Sequence, residues 1–179
     1  RWIAHDAIAA NMNFMKMETA SSVHEAVAIA PTLGMPAQNM VAADINGNIS
    51  WTITGTIPVR YGYNGSFISD WSDGSQGWSG YLPADQYPKI INPQHHRIWT
   101  ANSRVVGGEM YDAIGDGGYA LGARAKQIRD NLFEKEHFTE QDLLNIQLDD
   151  RALFLNRWHA FMLETVVPDS SHKDKQALI

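Results

Sequence analysis

The sequence predicts a mixed α+β fold weighted toward helix and loop, and three observations predict it. One is an Asn-Gly hairpin near residues 39–54. The second is a pair of capped helical stretches starting at Ser22 and Thr139. The third is a long Gly-, Pro- and aromatic-rich region over residues 57–96.

In the hairpin, Met40-Val41-Ala42-Ala43-Asp44-Ile45 leads into Asn46-Gly47, and Ile49, Trp51 and Ile53 then alternate with Ser50, Thr52 and Thr54. Alternation of this kind gives a strand one apolar and one polar face, and Asn-Gly accepts the positive φ of a tight turn; a type I′ turn is expected. Ser22 reads as an N-cap with Glu25 at the capping-box position, opening a short helix that ends by Pro31 and Gly34. Residues 6–19, with Ile8, Met12, Met15 and Met17, suggest another helix on a ragged apolar face.

Between residues 57 and 96, five glycines and four prolines alternate with Trp71, Trp78 and several Tyr and Phe, which predicts an ordered loop pinned by its aromatic rings. A short strand is expected over His96–Ala101, followed by turns to Gly118. Helices are then expected over Tyr119–Glu136 (Leu121, Ala125, Ile128, Leu132 and Phe133 near one face) and from Thr139, with Asp142 closing its capping box. A last apolar series, Leu153 to Val166, should stop at Pro168, with the final ten residues frayed. Helix thus dominates residues 119–167, no repeat is present, and residues 1–179 read as one unit.

The composition narrows the function classes. A length of 179 residues is enough for a core, 44% hydrophobic content argues against disorder, and no apolar run reaches the length of a membrane span. Twenty acidic against 14 basic residues, a formal net charge of -6, leave no basic stripe for a phosphate backbone, so neither nucleic acid nor membrane is expected as a partner. The absence of cysteine rules out disulfides, thiolate metal sites and a cysteine nucleophile within these residues. The start Arg1-Trp2-Ile3-Ala4-His5 carries neither an initiator Met nor a leader, so a processed chain or a segment of something longer is expected.

Residue chemistry alone offers few sites. His95 and His96 are adjacent and point opposite ways in an extended chain, which disfavours joint metal binding. Asp112 and Asp116, in Asp112-Ala113-Ile114-Gly115-Asp116-Gly117-Gly118, resemble part of an acidic calcium loop without the closing Glu, and Asp70 and Asp73 are open to the same two readings, turn or cation ligand. The aromatic loop over residues 61–81 could alternatively serve a non-catalytic ligand-binding module stacking on sugars or other planar surfaces, or the chain could be a purely structural fragment.

Four segments change this balance. Ala43-Asp44-Ile45-Asn46-Gly47-Asn48-Ile49-Ser50-Trp51 with Thr54-Gly55-Thr56-Ile57-Pro58-Val59-Arg60 comes first. Trp78-Ser79-Gly80-Tyr81-Leu82-Pro83 with Pro88-Lys89-Ile90-Ile91-Asn92-Pro93 follows. Thr100-Ala101-Asn102-Ser103-Arg104 and Gly122-Ala123-Arg124-Ala125-Lys126-Gln127-Ile128 complete the order. In content and order over roughly residues 38–130 they resemble the serine-chain portion of the penicillin acylase (penicillin amidase) family, which includes cephalosporin and acyl-homoserine-lactone acylases.

The resemblance implies part of an αββα N-terminal-nucleophile hydrolase fold. It also implies an amidohydrolase that cleaves N-acylated small molecules through an N-terminal Ser absent from this chain, so that residues 1–179 alone should be inactive. The Ser hydroxyl is activated by its own α-amine. Asn102 matches the family's oxyanion-hole Asn, and Arg124, 22 residues on, matches an Arg that orders the site. The second Asn of the family element is Ser103 here. The resemblance further implies a periplasmic or extracellular location and, as partner, the remainder of the same precursor (an alpha chain and the rest of the beta chain). It implies no cofactor for the chemistry, and leaves open a structural calcium, with Asp112 and Asp116 as candidates.

Overall fold

A computed structural model describes residues 1–165. Two compact units divide the chain, Arg1–Gly122 and Ala123–Ile179. The architecture is α+β, as the sequence predicts.

The first unit begins with short 3-10 turns (Ile3–His5, Ala7–Ala9, Asn13–Thr19), where the sequence suggested one helix over 6–19. Asn11 explains the difference. Its side-chain oxygen accepts from the Asn13 and Gly34 backbone N–H groups at 2.9 and 3.0 Å, offering the backbone partners that compete with helical bonding. Helix α1 (Val23–Ile29) starts at Ser22, whose hydroxyl accepts from Glu25 N–H at 3.2 Å. The Glu25 carboxylate reaches back to Ser21 N–H at 2.7 Å, not to Ser22, so the box closes one residue early. Val23 and Val27, one turn apart, are buried with Ala30 and Leu33 just beyond.

Strands β1 (Gln38–Ala43) and β2 (Ile49–Thr54) pair antiparallel with Ala43 opposite Ile49. The turn differs from type I′, because Gly47 at φ 80° is its only residue with positive φ. Asp44 is responsible. Its carboxylate accepts from the N–H groups of Asn46 (3.0 Å) and Asn48 (3.1 Å), while Gly47 N–H bonds the Asp44 carbonyl at 3.1 Å, giving a turn that needs a left-handed residue only at Gly47. The other Asp44 oxygen accepts from Val23 N–H at 3.2 Å, tying the hairpin to the start of α1.

Strand β5 (Lys89–Ile91) pairs along the far edge of β2, making β2 the central strand of three. One hairpin edge is therefore covered from within this chain. Both faces of β2 are buried: Trp51 and Ile53 join Ile57 and Tyr87 in the main core, against Ile90, Ile98, Val105 and Ile114, while Ser50, Thr52 and Thr54 are buried on the other face.

The 57–96 region, expected as loop, contains β3 (Pro58–Tyr61) and β4 (Gly77–Tyr81) as well as β5. β3 and β4 pair with a register shift between Val59 and Arg60. The expected strand over 96–101 does not form. His96 sits at φ 52° at the end of a turn from Pro93, and the following residues form no ladder, Ile98 packing partly buried against the core. Instead of turns alone, the next stretch holds α2 (Gly108–Ile114).

In the second unit, α3 (Ala123–Leu132) is shorter at both ends than expected. Helix α4 (Glu140–Gln147) carries the expected capping box in full: Thr139 Oγ1 accepts from Asp142 N–H at 3.2 Å and the Asp142 carboxylate accepts from Thr139 N–H at 3.0 Å. Asp149 collects Gln127 and Asn131 amides, both at 2.8 Å, and the Arg151 guanidinium, fastening α3 to the chain after α4. The last series gives a 3-10 turn (Leu153–Leu155) and α5 (Asn156–Thr165). Val166, the stop at Pro168 and the polar tail lie outside the described residues. Among the described residues no helix is long and apolar enough to cross a membrane.

Candidate functional site

Asn102 stands on an exposed turn whose two flanks are held by apolar anchors. Upstream Ile98, and downstream Val105 and Val106, pack against the core built on Trp51 and Ile57. Ser103, next in sequence, is buried at 8% exposure. The Asn102 carbonyl accepts from Ala120 N–H at 2.8 Å, so the turn is also stitched to the chain that follows α2. A short amide on such a turn has its backbone fixed by packing on both sides, which is the rigidity a preorganised hydrogen-bond donor requires.

Around it lies a cluster whose mutual contacts no sequence motif flags. The Arg104 guanidinium sits 4.8 Å from the Tyr111 ring centre, within cation–π range. The Tyr111 hydroxyl donates to Asp116 at 2.9 Å, and the Tyr111 and Tyr119 rings are 5.9 Å apart. Arg60, from β3, donates to the Ile114 carbonyl at 2.9 Å and satisfies the end of α2. Ser103, Arg104, Tyr111 and Tyr119 line a small cavity of about 130 Å³ with Trp51 and Asn39, whose side chain accepts from the Trp51 indole N–H at 2.9 Å. The Asp116 carboxyl is held below its ordinary range by Gly118 N–H and then by Tyr111, and the same contact with Asp116 pushes the Tyr111 phenol up. Sequence could have offered one signal, the Asp116-Gly117-Gly118 turn, but not the partners folded against it.

Asp112 lies exposed on α2. Asp116 spends one oxygen on Tyr111 and the other on Gly118 N–H at 2.9 Å. Calcium takes six to eight oxygens, and among the described residues no group of three or more metal-binding side chains is gathered. Two carboxylates, one already satisfied, do not fit that ion by themselves. Asp70 and Asp73 close local turns with Ser72 and Ser75 N–H, each at 2.9 Å. Arg124 is the second residue of α3 and is exposed.

The aromatic loop is folded on itself. Tyr63 and Trp71 lie 5.4 Å apart, Trp71 and Trp78 5.9 Å apart, the Trp78 indole donates to Tyr63 at 2.8 Å, and the Arg1 guanidinium covers Trp78 at 4.7 Å. These rings serve each other as partners, which favours a packed cluster over an open stacking platform.

The penicillin amidase family model matches residues 1–178. The chain belongs to the penicillin amidase family. Over 135 residues, three quarters of this chain, it is 30% identical to a penicillin acylase 2 proenzyme of Pseudomonas sp., covering 17% of that protein. Over 147 residues, 82% of the chain, it is 26% identical to an acyl-homoserine lactone acylase of Pseudomonas aeruginosa, again covering 17%. A thermostable penicillin G acylase from Alcaligenes faecalis matches in structure with a TM-score of 0.62 at 20% identity, over 75% of this chain and 24% of that one. That likeness supports the fold. The chain therefore spans about a sixth of the length of the relatives it matches.

Proposed function

We propose that residues 1–179 form part of the catalytic body of a penicillin-acylase-like amidohydrolase that cleaves the amide bond of an N-acylated small molecule. Its N-terminal nucleophilic Ser lies outside this chain, and the rest of the same precursor, an alpha chain and the remaining beta chain, is its partner. The observation that carries the reading is the family match over residues 1–178 coinciding with an Asn102 turn braced on both flanks. Periplasmic or extracellular placement belongs to the same proposal.

The chemistry runs in balanced steps. The Ser oxygen adds to the amide carbon, its proton passing to the Ser α-amine, and the carbonyl oxygen becomes an oxyanion. The Asn102 side-chain amide donates to that oxyanion, where charge develops, alongside backbone N–H groups from elsewhere. Collapse breaks the C–N bond, and the leaving amine takes the proton held on the α-amine. Water then adds to the acyl ester, returns the Ser hydroxyl and releases the carboxylic acid. Arg124 supports the site by offering fixed guanidinium donors to neighbouring carbonyls or carboxylates.

The test is amide hydrolysis by the full-length protein on a panel of acyl p-nitroanilides of graded chain length. Asn102→Ala should lower kcat by about 10²- to 10³-fold, the usual loss for one oxyanion donor, and Arg124→Ala should lower it less. Residues 1–179 alone should give no turnover. Wild-type kcat in Asn102→Ala would sink the oxyanion assignment, and robust turnover by the isolated chain would sink the placement of the nucleophile.

A further inference from the structure

The Asn102 turn has no regular ladder to hold it, since the chain on its upstream side forms no strand. What closes the turn is a clasp made by the segment that returns past it. The Asn102 carbonyl accepts from Ala120 N–H at 2.8 Å, and two residues after Asn102 the Arg104 guanidinium lies over the Tyr111 ring at 4.8 Å. Tyr111 in turn contacts both ends of the returning segment, packing its ring 5.9 Å from Tyr119 and donating its hydroxyl to Asp116 at 2.9 Å. Asp116 is itself fixed through its backbone N–H to the Asn64 carbonyl at 3.3 Å and through its carboxylate to Gly118 N–H at 2.9 Å. One phenol thus joins α2, the 116–120 return and the 102–104 turn.

We propose that Tyr111 is a positioning residue for Asn102, setting through Asp116 and the 116–120 return where the Asn102 turn is held. The proposal rests on the reading of Asn102 as an oxyanion donor. It follows from geometry, because the carbonyl bond from Ala120 fixes the Asn102 backbone only as well as the return segment is itself fixed, and the hydroxyl of Tyr111, beside its ring contact with Tyr119 and its carbonyl bond from Gly115 N–H, ties that segment to α2. Positioning matters steeply in such sites: a shift of about 1 Å in a reacting geometry costs on the order of 10²-fold in rate.

Tyr111→Phe keeps the ring contacts with Arg104 and Tyr119 and removes only the bond to Asp116. In the full-length protein, assayed on acyl p-nitroanilides, it should lower kcat about tenfold with KM unchanged within about twofold, a fraction of the loss that misplacement can cause. Asp116→Ala, which also frees Gly118, should act in the same direction and further. The deciding comparison is a double-mutant cycle. On an Asn102→Ala background, Tyr111→Phe should cost nothing more, because residues that act as a unit are non-additive. An unchanged kcat in Tyr111→Phe, or an equal fold-loss with and without Asn102, would overturn the positioning role. If Asn102→Ala itself keeps full activity, the oxyanion reading has failed, and that is a separate result from an additive cycle.

Discussion

The Tyr87 hydroxyl donates to the Gly55 carbonyl at 2.7 Å in the buried core. The same oxygen accepts from Ile57 N–H at 3.2 Å, so one side chain satisfies both backbone groups where the chain leaves β2 for β3. Tyr87→Phe preserves the shape and orphans both. It should destabilise the protein by about 1–3 kcal/mol, the cost of leaving buried polar groups unpaired. Urea unfolding would show a lower midpoint with an unchanged slope, and a midpoint equal to wild type would refute the claim.

Gly55 itself tolerates no side chain. It sits at φ 77°, and an added Cβ would run into the Met35 carbonyl. Gly55→Ala should cost at least about 1–3 kcal/mol from the left-handed conformation alone, and more from the collision, whereas Gly47→Ala, at φ 80° with open space around it, should cost only the conformational part. Thermal midpoints of the two variants would rank them, and a larger loss at Gly47 would contradict the packing described.

Asp142 gives a pH signature. The Lys135 ammonium beside it, and then the Thr139 N–H, hold its carboxyl down to about 2 from an ordinary 3.8. A group whose folded pKa is depressed adds stability above its unfolded pKa and loses it as pH falls through the folded value. The difference in thermal midpoint between wild type and Asp142→Asn should therefore be full at neutral pH and shrink between about pH 4 and pH 2. Added salt should shrink it too, since the Lys135 pair is open to solvent. A difference that grows toward low pH would be the wrong sign.

Trp71 separates packing from ligand binding. Its ring lies between Tyr63 and Trp78, so Trp71→Ala should lower the thermal midpoint and leave titration with neutral oligosaccharides featureless in both proteins. Saturable sugar binding in wild type, lost in the variant, would restore the binding-module alternative.

Local chemistry was the legible part of this fold. Ser22 with Glu25, Thr139 with Asp142, and Asn46-Gly47 mark structure through bonds made within a few residues, and each element formed there. Strands β3 and β4 were hidden because their paired residues lie 16 to 23 positions apart across Gly62, Gly65 and Gly74, so neither carries an alternating pattern that stands alone. Helix α2 was hidden by Gly107 and Gly108 at its start and Gly115 at its end. The 96–101 stretch has strand-like residues, but β5 already occupies the edge of β2, and Ile98 instead packs partly buried against the core. For the site, residue types could not single out Asn102; its motif neighbours did so by resemblance. The Tyr111 and Asp116 contacts depend on chain return, which spacing does not encode.

The Asp44 loop has a consequence for how the protein ages. Asn-Gly is the dipeptide in which the next backbone nitrogen most readily attacks the Asn side-chain carbonyl, because Gly adds no steric barrier. Here Gly47 N–H is engaged by the Asp44 carbonyl at 3.1 Å and Asn46 N–H by the Asp44 carboxylate, so the nucleophilic nitrogen is restrained while the hairpin is closed. The one aspartate that shapes the turn thereby also acts as a chemical preservative. Storage conditions that loosen this hairpin would be read out first as a slow gain of negative charge at Asn46.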